Sequence, residues 1–116
     1  MAARIEYKKR EIHVFLDGEI DHHSAFSIKD IIDAQILKVS PRTAVMNFKK
    51  PAMLVMDFGN VSFMDSSGIG LVMGRYKLMK TVQGRIRVEN LSPGAYRVMK
   101  LAGLERLGEI RQKEVV

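Results

Sequence analysis

The chain opens with alternation. Ile12, Val14 and Leu16 are separated by His13, Phe15 and Asp17, and Ile5 and Tyr7 alternate just before them, which is the two-residue period of half-buried strands. Lys9 and Arg10 between the two runs predict a hairpin turn. After Gly18 the period lengthens: Ala25, Ile28, Ile32 and Ile36 fall at the spacing of one helical face. Asp21 or Ser24 is placed to accept hydrogen bonds from the first free amides of that helix. Pro41 cannot continue a helix, so this one is expected to end near Lys38.

Residues 39–51 hold Pro41, Pro51 and several cations around Val45, Met46 and Phe48, and read as a long loop or insert. Ala52 to Phe58 is a nearly unbroken apolar run, as expected of a strand covered on both faces, and Gly59 with Asn60 predicts a turn after it. Ile69, Val72, Met73, Tyr76 and Met79 return to helical spacing, with Gly84 expected as the C-terminal cap. Arg85 to Glu89 alternates as another strand. Ser92 and Pro93 form an N-cap and first-turn pair for a helix through Val98, Met99 and Ala102 that Gly103 stops. The remainder, 104–116, holds a short apolar remnant and a charged tail. Hairpin, helix, buried strand, helix, strand, helix is an α/β order, and strands joined through helices are expected to pair in parallel with right-handed crossovers.

Composition narrows the function. With 116 residues and 47% hydrophobic positions, the chain has material for one packed core, so a single domain over 1–116 is expected. It contains no cysteine, which removes disulfides, a thiol nucleophile and thiolate metal ligation, and fits a reducing cytoplasm. The N-terminal stretch MAARIEYKKREIHVF is charged every few residues, and no window of about 18 apolar residues occurs; a soluble, cytoplasmic protein without a membrane span is expected. The net charge of +6 raises nucleic acid or an acidic protein surface as a partner. The basic runs Lys38, Arg42, Lys49, Lys50 and Arg75, Lys77, Lys80, Arg85, Arg87 are spaced as solvated faces and loops, without the interleaved aromatics on which bases stack. Direct DNA binding is therefore not expected.

The candidate chemistry lies in VSFMDSSGIGLVMG, residues 61–74, where Asp65, Ser66 and Ser67 interrupt an apolar run as a strand pattern gives way to a helical one. Asp65 reads as an N-cap, with Ser66, Ser67 and Gly68 in the first turn, where backbone N–H groups have no partner within the helix. A phosphate-binding loop is excluded because Arg75 and Tyr76 follow the glycines at 68, 70 and 74. A nucleophile elbow is excluded because Met64 stands two residues before Ser66, and neither flanking glycine is present for Ser67. Two readings remain: a structural cap, and a serine that accepts a phosphate. A phosphate at a helix N-terminus gains roughly 0.3–1 kcal/mol, and up to ~2 in favourable geometry. Pressed into an interface that had docked a neutral hydroxyl, its charge of about −1.5 to −2 must be desolvated or repelled, a cost of several kcal/mol per ion. The modification would switch binding and leave the fold intact. Spacing does not choose between Ser66 and Ser67.

DGEIDHHS, residues 17–24, gathers Asp17, Glu19, Asp21, His22 and His23 and invites a metal-site reading. Adjacent histidines at a helix start are expected to point in different directions, and no H-x-x-x-H or H-E-x-x-H spacing is present. A turn plus a cap is the simpler reading, and neither metal nor cofactor is expected.

Together, SFMDSSGIG with the helix LVMGRYKLMK, and GEIDHHS before it, closely resemble the anti-sigma factor antagonists, the STAS-domain proteins of spore-forming bacteria, in particular the sporulation type. The resemblance spans nearly the whole chain and implies a STAS-type α/β domain: a mixed, mostly parallel sheet with an N-terminal hairpin and helices packed against it. It implies a regulatory protein without enzymatic activity. The unphosphorylated form would bind an anti-sigma factor serine kinase of the GHKL type and free the sigma factor it holds. Phosphorylation of the second serine of D-S-S-G, here Ser67, would inactivate it until a phosphoserine phosphatase restores it. The docking surface would comprise Asp21, His22, Asp65, Ser66, Ser67, Gly68 and Ile69. Related alternatives are a STAS module of a general stress or other signalling cascade and a basic nucleic-acid-binding domain. The chain departs from the family in a longer segment between the first helix and the central strand, and in a last helix missing or reduced to RQKEVV.

Overall fold

The computed structural model describes residues 2–38 and 53–114. The alternating N-terminal runs pair as an antiparallel hairpin, β1 (Ala2–Lys8) with β2 (Glu11–Ile20), Ile5 lying opposite Val14. Lys9 turns the chain with a φ of 54°. Helix α1 (His22–Lys38) follows, and then strand β3 (Met53–Met64) and helix α2 (Ser66–Thr81). Strand β4 (Arg85–Leu91), helix α3 (Pro93–Leu101), a single 3₁₀ turn (Leu104–Arg106) and strand β5 (Glu109–Gln112) complete the order. The strands lie in sequence order in one sheet, with β2 to β5 paired in parallel. This is the α/β architecture that alternating strands and helices require.

One face of the sheet carries the core. Ile12, Val14 and Leu16 of β2, Leu54 and Met56 of β3, and Ile86 and Val88 of β4 are buried in one cluster with Ile28, Ile32 and Ile36 of α1 and Leu71, Val72 and Met79 of α2. The period-2 residues of the strands thus meet the helical stripes foreseen in the sequence. On the other face, Arg4 lies 4.3 Å over the Phe15 ring, His13 bonds Glu11 at 2.8 Å, and Arg87 bonds Glu89 at 2.6 Å. The second basic run therefore does not form one surface: Arg87 is paired on this far face, and Arg75 is buried beneath α1.

Four expectations are corrected. The period does not change at Gly18; β2 runs through it at a φ of 107° and a register shift, and ends at Ile20. Gly59 and Asn60 do not turn the chain. Strand β3 continues through them, with Asn60 opposite Asp17, because β2 still offers a free edge to pair with and the ladder outweighs local turn preference. Helix α2 is closed by Gln83, not Gly84. Gln83 adopts the left-handed φ of 61° while the Gly84 N–H returns to the Met79 carbonyl at 2.8 Å and that of Gln83 to Lys80 at 3.1 Å, the two bonds of a Schellman motif. Finally, residues 109–112 are not a charged tail but edge strand β5, bound to β4 with Ile110 opposite Val88. Gly108 permits this approach, since a Cβ there would meet the Ile86 carbonyl oxygen at 2.6 Å. The insert at 39–51 lies outside the described residues.

Candidate functional site

Parallel strands bring their carboxyl ends to one edge of the sheet, and the helices that follow begin there. Ile20 ends β2 and Met64 ends β3, and the Asp65 N–H donates to the Ile20 carbonyl at 3.1 Å. That bond sets the starts of α1 and α2 side by side, so that two motifs over forty residues apart form one edge.

Each start carries an aspartate cap. The Asp21 carboxylate accepts from the His23 and Ser24 amides at 3.0 and 2.9 Å, and its own N–H donates to Ser24 Oγ at 3.0 Å, a reciprocal pair in the manner of a capping box. Both Asp21 and Ser24 thus serve. The hydrogen bond donated by the Ser24 N–H is the foremost cause that holds the Asp21 carboxyl below its usual value. Ser24 Oγ also donates to the Glu19 carbonyl at 2.8 Å, binding the cap to the strand before it. At α2, Asp65 Oδ1 accepts from the Ser67 N–H at 2.8 Å. Gly68 is buried in the first turn, and a Cβ there would run into the Met64 side chain. Glycine at 68 lets the helix begin directly on the end of β3.

The two serines part company here. Consecutive helical residues are turned by about 100°, and Ser66 and Ser67 accordingly border different cavities. Ser66 is exposed and, with Asp65 and Ile69, lines a cavity of about 490 Å³ between the end of β3 and α3, walled by Phe58, Phe63 and Val98. Ser67 is half-buried. It lines a groove of about 310 Å³ between α1 and α2 with His22, Phe26, Lys29, Gly70 and Gly74. The predicted residues therefore gather at one edge, but Asp65, Ser66 and Ile69 line one depression and His22 and Ser67 the other, while Asp21 and Gly68 line neither.

Phe26, Lys29, Gly70 and Gly74 were not singled out by sequence. Their signal was positional: Phe26 and Lys29 follow His22 by four and seven residues on α1, and Gly70 and Gly74 follow Ser67 by three and seven on α2. A Cβ at Gly70 or Gly74 would meet nothing within 4 Å, so these glycines widen the groove. Phe26 is 69% exposed at its lip. The far end of the groove is held by charge: Asp33 lies 2.7 Å from Arg75 Nε through one oxygen and 3.2 Å from Lys29 Nζ through the other. The contact with Arg75 is close but not aligned as a hydrogen bond. Burial pulls the Arg75 guanidinium below its ordinary pKa, while Asp33 and Asp30 act in the opposite sense.

His22 and His23 do not diverge as expected; their ring centroids are 4.1 Å apart. The Asp21 carboxylate beside them is occupied as a helix cap. Among the described residues no hydrogen bond joins His22 to Ser67, no group of three or more His, Asp or Glu side chains is arranged to hold a metal ion, and no helix is long and apolar enough to cross a membrane.

Comparison with known proteins places this edge in a family context. The STAS domain family matches residues 3–115. An anti-sigma F factor antagonist of Paenibacillus polymyxa is 31% identical over 111 residues, which cover 96% of this chain and 86% of that protein. An anti-sigma-B factor antagonist of Listeria monocytogenes is 30% identical over 117 residues, covering 98% and 93%. Among solved structures, the anti-sigma factor antagonist SpoIIAA in its unphosphorylated form aligns with a TM-score of 0.70 at 32% identity, over 94% of this chain and 87% of that one. The phosphorylated form of Bacillus SpoIIAA aligns with a TM-score of 0.64 at 31% identity, over 94% and 90%.

Proposed function

The chain belongs to the STAS domain family, and from that premise we propose that it is an anti-sigma factor antagonist switched by phosphorylation of Ser67. The observation that carries the reading is the placement of Ser67: a half-exposed hydroxyl in the first turn of α2, on an open groove, beside the capped start of α1. A hydroxyl sealed in the core would have no route to a visiting active site. The anti-sigma factor serine kinase docks on Asp21, His22, Asp65, Ser66, Gly68 and Ile69. In this docked state the sigma factor is free. The γ-phosphoryl group of ATP then passes to Ser67 Oγ, the hydroxyl proton leaves to a base on the kinase, and ADP departs.

The modified protein carries a near-dianion in a surface that had fitted a neutral group, and desolvation or repulsion of that charge releases the partner. The fold survives because Ser67 lies at a helix start and outside the core cluster. Hydrolysis by a phosphoserine phosphatase returns the hydroxyl. The chain is thus ligand and substrate in a partner-switching cycle, without activity of its own. Cytoplasmic residence follows, since the partners named here act on transcription.

Incubation with the cognate kinase and ATP tests this. Phosphate mapped to Ser67 by mass spectrometry is the expected result; an active kinase that leaves Ser67 unmodified overturns it. A second reading rests on the similarity to an anti-sigma-B factor antagonist: the same switch operating in a general stress cascade instead of sporulation. Binding assays against both kinds of kinase separate the two.

A further inference from the structure

The Ser67 N–H is already bound by Asp65 Oδ1 at 2.8 Å. A phosphate on Ser67 would therefore find one helix-terminal amide taken and a carboxylate close by, which offsets part of the attraction of the helix start. Further compensating charge is available across the groove. Lys29 of α1 lines the same depression as Ser67, and its side chain is 48% exposed. Its ammonium group lies 3.2 Å from Asp33 and 3.9 Å from Asp30. Asp33 also serves Arg75 at 2.7 Å, so one carboxylate is shared by two cations. Lys29 can leave it without stranding Asp33, because the buried Arg75 stays.

We infer that Lys29 is the internal acceptor of the Ser67 phosphate: on phosphorylation its ammonium group swings from Asp33 to the phosphate oxygens and ties α1 to α2 across the groove. This rests on the phosphorylation reading above and adds a residue to it. Gly70 and Gly74 leave the space for this movement, since no side chain projects from them into the groove. The consequence is regulatory. A phosphate held by Lys29 stays within the groove, so it fills part of the depression open in the unmodified protein as well as adding charge. His22, on the same groove, is a second polar neighbour but not the principal one, because the Lys29 ammonium group offers three rotatable donors on a flexible stem.

The test is a double-mutant cycle on the whole chain, with phosphoserine placed at position 67 during translation so that no kinase is involved. Folding equilibrium constants are measured in urea for the Ser67 and phosphoserine forms, each with Lys29 and with Lys29→Met. The expected result is that Lys29→Met lowers the folding constant of the phosphoserine form about two- to fivefold more than that of the unmodified form, the size of a favourable exposed charge pair. Lys29→Arg is expected to restore most of the difference. Equal losses in both forms overturn the inference, as does an arginine variant no better than methionine. Should Lys29→Met not fold, Lys29→Gln carries the same cycle with the same two outcomes. An additive cycle leaves the kinase reading standing, whereas failure of any kinase to modify Ser67 leaves this cycle unaffected.

Discussion

The two sides of the first turn of α2 differ more than their sequence suggests. Ser66 and Ser67 are identical side chains one residue apart, yet one borders a depression walled by Phe58, Phe63 and Val98 and the other a groove with Lys29 and His22 on its opposite bank. What this teaches is that exposure alone does not nominate a modification site. Ser66 is the more exposed, but among the described residues that line the two depressions, cations stand only on the Ser67 side, as Lys29 and Arg75.

The sharpest way to break the comparison is to remove each hydroxyl in turn. Ser67→Ala is expected to abolish phosphate incorporation while kinase binding persists, and Ser66→Ala to leave the site of modification unchanged, both read by mass spectrometry. Ser67→Asp is expected to weaken kinase binding by about ten- to a hundredfold, about 1.4–3 kcal/mol, in a titration. Phosphate found on Ser66 in the wild-type protein would reverse the assignment of the two sides.

Next in size is the seat that both sides share. Gly68→Ala drives a methyl group into the Met64 side chain and is expected to destabilise the fold by about 1–3 kcal/mol in urea titration. Pairing it with Met64→Ala is expected to recover part of that loss, since the residues touch. If the pair is simply additive, Met64 is not what requires glycine at 68.

Phe26 separates docking from folding on the Ser67 side. Because it is 69% exposed, Phe26→Ala is expected to change stability by less than about 0.5 kcal/mol, yet to cost about 1–2 kcal/mol of kinase affinity if its ring anchors the partner. Unchanged affinity would move the contact surface toward the Ser66 side. The smallest effect concerns acid. Asp21 has a depressed pKa, first through its bond from the Ser24 amide, so its contribution to stability is present above the unfolded value of about 3.9 and is lost as pH falls through the lower folded value. Asn can also cap a helix. Wild type is therefore expected to lose stability relative to Asp21→Asn only below about pH 4, followed by circular dichroism.

The local elements were legible where one face of a segment met the core. The alternation of Ile12, Val14 and Leu16, the stripe of Ile28, Ile32 and Ile36, and the Ser92 cap with its bond to the Ala95 amide all follow from short-range periodicity and hydrogen-bonding chemistry. Two misreadings fell where a neighbouring strand supplied what local preference did not. Gly59 and Asn60 remain extended because β2 runs alongside, and β5 exists because β4 leaves an edge beside Gly108, while its own four residues hold only one partly buried apolar side chain.

The candidate site divides in the same way. Asp65 as a cap, with the serines in the first helical turn, could be read from residue type and spacing, since capping involves atoms only two or three residues apart. That Asp21 and Asp65 share an edge, that Ser66 and Ser67 face separate depressions, and that Lys29 stands across from Ser67 depend on parallel strands ending together and on how two helices pack. Those relations join residues distant in the chain through the sheet, and a one-dimensional pattern of polar and apolar positions carries no term for them.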